Sequence, residues 1–249
     1  MSSPLAHGQL LVMQKAGKVA AAILKRLKKF LREGVSTKDV ENFFDEALSQ
    51  YPGMEPAFKG FMGYPASVCV SLNDEIIHGI PSSKKIIKRG DLVSVDLGIK
   101  YQGLFVDTAH TYIIGSAPGF AKRLVKTTYR ALYEGIKRAK VGATIGDIGA
   151  AVQGYTEKKG CSVIRKFVGH GIGEKLHLPP EIPNYGKKRE GMELVEGLAL
   201  AIEPMVCAGG YEVEIDDDGW TARTKDKSLS AHFEHTVAIT KKGPWILTQ

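Results

Sequence analysis

Cysteine is scarce in this chain: Cys69, Cys161 and Cys207 are the only three among 249 residues, and no two form a CxxC pair. That scarcity excludes a disulfide framework and a zinc site built on thiolates, and it fits a reducing, cytosolic compartment. Long apolar runs are missing as well. Nothing approaches the roughly 18–20 residues that cross a bilayer. The first apolar stretch is soon broken by Lys25, Arg26, Lys28 and Lys29, which is not a signal-peptide pattern. A cytoplasmic protein that does not engage membranes is expected. Long runs of one charge are also absent. The net charge of +7 comes from dispersed Lys and Arg, with local clusters at 25–32 and 187–189. Such clusters are ordinarily solvated faces. Read as functional, they favour an anionic partner such as RNA.

What is present is an ordinary globular composition, 43% apolar and 24% charged. Helical spacing of apolar residues predicts helices over 9–31 and 36–49, then 118–139 and 144–159. Ser36 with Asp39 and Thr144 with Asp147 open two of them, and Pro118 is placed at the first position of a third. Strand chemistry is read at 67–72, 93–110, 162–168, 198–206, 211–214, 220–224 and 232–240, with an ordered loop at 52–65 and an irregular segment at 178–192. Nothing reads as a flexible linker. One α+β domain over residues 1–249 is expected.

The stretch VSVDLGIKYQGLFVDTAH, residues 93–110, reads as a hairpin. A turn centred between Tyr101 and Gln102 puts Asp96 opposite Asp107 on one face, where like charges destabilise a sheet. They coexist by sharing a proton, by pointing apart across a bulge at Gly103, or by holding a cation. Two further carboxylates, Glu203 in LALAIEPMV and Glu234 in AHFEHTVAI, sit in apolar strands, and no Lys or Arg lies inside 92–98 or 198–206. Burying unpaired carboxylates costs several kcal/mol each, so a shared positive charge is the economical solution. His170, amid the glycines of VGHGIG, offers a nitrogen ligand. Two Asp, two Glu and one His suit Mn²⁺, Fe²⁺ or Co²⁺ and accept Zn²⁺. Five ligands suit two ions better than one. The matching places of Asp96 after Gly90 and of Glu203 after Gly197 point to two halves folding alike.

These residues, set in NDEIIHGIP (73–81), GDLVSVDLG (90–98), VGHGIG (168–173), IEPM (202–205) and TKDKSLSAHFEHTV (224–237), resemble the methionine aminopeptidases, the pita-bread metallopeptidases. The resemblance runs from about residue 10 to the last strand. It implies an α+β pita-bread fold, two pseudo-symmetric halves around a curved antiparallel sheet. The length fits the single-domain type I form, without a zinc-finger extension or a large helical insertion between His177 and Glu203.

By the same resemblance, Asp107 and Glu234 bridge two divalent ions, with Asp96 on one ion and His170 and Glu203 on the other. Glu203 shuttles a proton, and His78 and His177 contact the substrate. Phe58, Phe61, Tyr64, Cys69, Trp220 and His78 form the methionine pocket, with Leu176 beside them. The family often has Cys at the position of Phe58 and Phe at that of Leu176, a departure that alters pocket shape more than chemistry. Backbone oxygens of Asn73 and Ser230 match a structural Na⁺ or K⁺ site. The implied substrate is a nascent peptide with free N-terminal methionine and a small second residue. The protein is expected to act as a monomer without DNA, with transient ribosome contact through Lys25, Arg26, Lys28, Lys29 and Arg32. Two other readings share the fold. A non-catalytic binding protein would be expected to lose ligands, and all five are present. An iminopeptidase cutting before proline would carry a further N-terminal domain, for which residues 1–66 are too few.

Overall fold

The helical patterns become four helices in the computed structural model, which describes residues 3–249: α1 (His7–Phe30), α2 (Thr37–Ser49), α3 (Gly119–Ile136) and α4 (Ile145–Glu157). Leu10, Met13, Ala20, Leu24 and Leu27 line the buried stripe of α1. Reciprocal caps open α2 and α4. Ser36 Oγ accepts from Asp39 N–H at 3.1 Å while Asp39 accepts from Ser36 N–H at 2.9 Å, and Thr144 and Asp147 repeat the exchange. Pro118 stands one residue before α3 and not at its first position, because its ψ of 155° is extended. No helix among the described residues is long and apolar enough to cross a membrane.

The strands are β1 (Met54–Pro56), β2 (Val68–Leu72), β3 (Glu75–Ile77), β4 (Leu92–Tyr101), β5 (Leu104–Ile113), β6 (Ser162–Val163), β7 (Gly169–Gly171), β8 (Leu178–Ile182), β9 (Ala199–Ile202), β10 (Met205–Cys207), β11 (Val213–Ile215), β12 (Ala222–Thr224), β13 (Ser230–His232), β14 (His235–Thr240) and β15 (Gly243–Ile246). They form four antiparallel groups: β1-β4-β2 with β5 on β4, β13-β10-β6, β11-β12-β3, and β15-β14-β9-β7-β8. The strand expected over 162–168 is confined to Ser162–Val163. Within the segment read as a loop, Met54–Pro56 is a strand because it pairs with β4, and within the segment read as irregular, Leu178–Ile182 is a strand. Its Pro179 and Pro180 are tolerated because β8 is an edge strand, with β7 its neighbour.

Two strand pairs organise the molecule. β4 and β5 form a hairpin backed by α1, and the strands β9–β10 and β13–β14 form a second pair backed by α3. In the hairpin the turn lies at Gln102 and Gly103, with φ of 49° and 77°. Two consecutive positive φ values make a tight two-residue turn of the kind that matches strand twist. The register therefore differs from the expected one: Asp96 faces Ala109 and Asp107 faces Gly98. The two aspartates are diagonal neighbours, still on one face, and no bulge intervenes. The direct opposition expected of them occurs instead in the second pair. Ile202 faces His235 and Met205 faces His232, so one register runs across the break and sets Glu203 opposite Glu234. Both glutamates lie in the break itself, just outside regular strand.

Threonines join the halves. The Thr236 hydroxyl accepts from Asp107 N–H and donates to Asp107 C=O, both at 2.8 Å, and Thr108 Oγ1 donates to Glu234 C=O at 2.8 Å. Glu234 N–H donates to Ala109 C=O at 3.0 Å. This seam brings carboxylates distant in sequence to one place.

Candidate active site

Asp96 comes from β4, Asp107 from β5 and His170 from β7, while Glu203 follows β9 and Glu234 precedes β14. All five converge. Ligand atoms of Asp96, Asp107 and Glu234 lie within 4.8 Å of one another, as do those of His170, Glu203 and Glu234. Asp107, His170 and His177 form a third such group. Asp107 and Glu234 are 3% and 2% exposed. Asp96 Oδ1, Asp107 Oδ1 and Glu234 Oε1 are buried without a hydrogen-bond partner.

No Lys or Arg pairs with any of these carboxylates among the described residues. The ion-pair partners of Glu203 are the imidazoles of His170, at 3.5 Å, and His232, at 3.6 Å. Burial therefore raises all four acids, and their mutual repulsion adds to it for Asp96, Asp107 and Glu234. Burial lowers His170 to about 3. Its Nδ1 lies 2.9 Å from Gly171 C=O, which can only accept, so Nδ1 carries the proton and Nε2 presents a lone pair to the carboxylates. Orphaned oxygens, a bare imidazole nitrogen and mutually repelling acids fit divalent cations of the oxygen-preferring or borderline kind.

Beside this cluster lies a cavity of about 590 Å³. Every predicted pocket residue lines it: Phe58, Phe61, Tyr64, Cys69, His78, Leu176, His177 and Trp220. Cys69 is the cross-strand partner of Asp96, so the pocket and the acids share one strand pair. Gly98, facing Asp107, leaves room for the Phe58 ring, since a Cβ there would lie 2.6 Å from Phe58 Cε1. The rings meet edge to face, Phe61 with His177 at 5.0 Å and Tyr64 with Trp220 at 5.1 Å. Burial pushes the Cys69 thiol well up, so it stays neutral. Such a lining of aromatic faces and a thiol suits a thioether. Burial also lowers His78 to about 4. Asn73 and Ser230 lie apart from the cavity lining, with Ser230 N–H donating to Asn73 C=O at 2.8 Å.

Several site residues were not singled out in the sequence. Met62, Phe167, Pro179 and Glu181 also line the cavity. His232 is buried against Glu203. Its signal was available: it stands two residues before Glu234, and side chains two apart share a strand face.

A carboxylate-rich cluster with one ligand-ready imidazole, opening on an apolar pocket, defines a metallohydrolase. Comparison with known proteins places it more closely: the chain belongs to metallopeptidase family M24, whose sequence model matches residues 12–241. It is 43% identical over 236 residues to the methionine aminopeptidase of Clostridium acetobutylicum, covering 95% of this chain and 94% of that protein. The crystal structure of methionine aminopeptidase from Thermotoga maritima superposes with a TM-score of 0.98 at 44% identity over all of both chains. The Xaa-Pro dipeptidase from Bacillus anthracis shares the fold alone, with a TM-score of 0.78 at 22% identity over 99% of this chain and 62% of that one. The pita-bread fold expected from the sequence is the fold observed.

Proposed function

We propose that the chain is a cytoplasmic type I methionine aminopeptidase, one catalytic domain that removes N-terminal methionine from nascent peptides whose second residue is small. The observation that carries this reading is the junction of five ligand side chains with an aromatic, thiol-bearing pocket. Two divalent ions would be held by Asp96, Asp107, His170, Glu203 and Glu234, in the two groups that share Glu234: Asp96 and Asp107 in one, His170 and Glu203 in the other. Mn²⁺, Fe²⁺ or Co²⁺ suits these donors, Zn²⁺ is accepted, and such ions supply a water acidic enough to attack an amide at neutral pH together with a Lewis acid for its carbonyl. A Na⁺ or K⁺ at the carbonyls of Asn73 and Ser230 belongs to the same reading, tested by loss of thermal stability on exchange into a buffer free of both.

The chain's own residues do the rest. The pocket takes the methionine side chain and fixes the scissile bond beside the acids. Glu203 accepts a proton from the attacking water and returns it to the leaving amine. His177, exposed at the cavity wall, donates to the carbonyl oxygen as it gains charge. His78, held neutral by burial, contacts the substrate backbone.

A Met-X-Ser peptide series with Mn²⁺ or Co²⁺ tests this. Met-Ala-Ser is expected to turn over, to stop with chelator, and to exceed Met-Phe-Ser by more than ~10-fold. Turnover of Xaa-Pro peptides in preference would make the chain an iminopeptidase, and no bound metal with no turnover would make it a binding protein. Ribosome contact through the exposed Lys25, Arg26, Lys28, Lys29 and Arg32 of α1 and its end is part of the proposal. Co-sedimentation should weaken by roughly 100-fold or more between 50 and 200 mM salt, and salt-independent binding would contradict it.

A further inference from the structure

The two halves correspond residue by residue. Asp96 and Glu203 each stand six residues after a glycine with positive φ, Gly90 at 96° and Gly197 at 89°. Asp107 stands two residues before Ala109, the partner of Asp96. His232 stands two residues before Glu234, which faces Glu203. Threonines complete the match. Thr236, four residues after His232, clamps Asp107 through its N–H and C=O. Thr111, four residues after Asp107, clamps His232 in the same way, accepting from its N–H at 2.8 Å and donating to its C=O at 2.7 Å. The reciprocal clamps put His232 where the other half carries a ligand.

His232 is 1% exposed, and neither ring nitrogen has a hydrogen-bond partner. A neutral imidazole always carries one N–H, and a buried donor needs an acceptor. The carboxylate nearest to it is Glu203, with Asp96 also close enough to act on its charge, and the two oxygens of Glu203 are flanked differently. Oε1 lies 3.5 Å from Nε2 of His170, the bare nitrogen, a separation suited to two ligands of one cation. Oε2 lies 3.6 Å from Nε2 of His232. That gap is longer than a hydrogen bond by roughly 0.5 Å, a distance a rotamer adjustment covers.

Resting on the two-ion reading above, we propose that His232 is a positioning residue of the metal centre. Its Nε2–H donates to Glu203 Oε2 and so holds Oε1 toward the ion shared with His170. Outer partners of this kind orient ligand carboxylates and sharpen metal affinity. The two histidines flanking Glu203 then carry opposite tautomers, His170 protonated at Nδ1 and His232 at Nε2.

Imidazole ¹⁵N NMR of the wild-type protein loaded with Zn²⁺, a diamagnetic probe, reads both tautomers directly. His232 is expected to carry its proton on Nε2, its signals assigned by their loss in His232→Gln. Calorimetric titration with Mn²⁺ gives a second readout. His232→Phe is expected to weaken the ion at Glu203 and His170 by about 10–100-fold. His232→Gln, whose amide N–H reaches the same oxygen, is expected to recover most of that loss. A bare His232 Nε2 in the loaded protein, a Phe variant binding as wild type, or a Gln variant as weak as Phe overturns the proposal. If the Phe variant fails to fold, the tautomer decides alone. A wild-type protein that takes up no metal overturns the two-ion reading instead.

Discussion

Asp107→Asn is expected to lower kcat on Met-Ala-Ser by more than ~100-fold and, with chelator at pH 8, to make the protein more stable. The activity loss follows from the side chain's place. Asp107 is buried in two of the three candidate ligand groups, with Oδ1 unpaired, and as the direct ligand proposed above it would matter more than outer partners, whose loss costs about 10–100-fold. The gain in stability comes from the same crowding. Without ions, Asp107 is one of four buried acids held together with no Lys or Arg, and Asp96 and Glu203 both disfavour its charge. An amide of the same shape removes that repulsion, a gain on the order of 1 kcal/mol, or about 2–4 °C in a chain of this size. Thermal melts with EDTA and with Mn²⁺ should therefore move in opposite directions relative to wild type. A variant that melts lower in both would mean that Asp107 serves structure and not cation binding.

The chelated wild-type protein is expected to lose stability between pH 6.5 and 8, while the metal-loaded protein stays flat. Burial raises Asp96 to about 7 and Glu203 to about 8, and raises Asp107 and Glu234 as well. In the unfolded chain these groups release their protons near ~4. The native state therefore binds more protons than the unfolded state across the intervening range, and its stability falls as pH rises through it. Histidines act in the other direction. His170, lowered to about 3, and His78, lowered to about 4, favour the native state above the unfolded imidazole value of ~6.5, and that contribution is lost as pH falls. Between ~6.5 and ~7.5 the unfolded imidazoles finish losing their protons and offset part of the carboxylate slope; above ~7.5 they are neutral in both states and the carboxylates alone set it. Each excess proton is worth about 1.4 kcal/mol per pH unit; Asp96 and Glu203 alone then give about 2 kcal/mol over this window, so a Tm lower by at least ~4–10 °C at pH 8 than at pH 6.5 is expected with EDTA. Bound ions keep the acids ionised throughout and remove the dependence. A chelated Tm that is flat or rising over this window would mean that the acids find compensation within the protein.

Much of the site is legible before folding because its constraints are local. A carboxylate in an apolar strand is conspicuous at Asp96, Asp107, Glu203 and Glu234, since burial without a partner is costly wherever the chain goes. Ser36 with Asp39 and Thr144 with Asp147 mark helix starts through bonds spanning three residues. Register was less accessible. Moving the turn to Gln102 and Gly103 made the aspartates diagonal, and the decision between neighbouring turns rests on small differences in backbone conformation. β8 was hidden because its pairing with β7 overrides what Pro179 and Pro180 suggest locally.

By itself, then, the sequence determined which chemical groups are available and which segments carry them, because propensity, capping and alternation act over a few residues. Only the tertiary structure decided that the five candidate ligands meet, that Glu203 and Glu234 oppose each other in a strand break, and that His232 is sealed against Glu203. Those outcomes depend on Thr111 and Thr236 clamping strands more than a hundred residues apart. Contacts of that range leave no period in the chain from which they could be read.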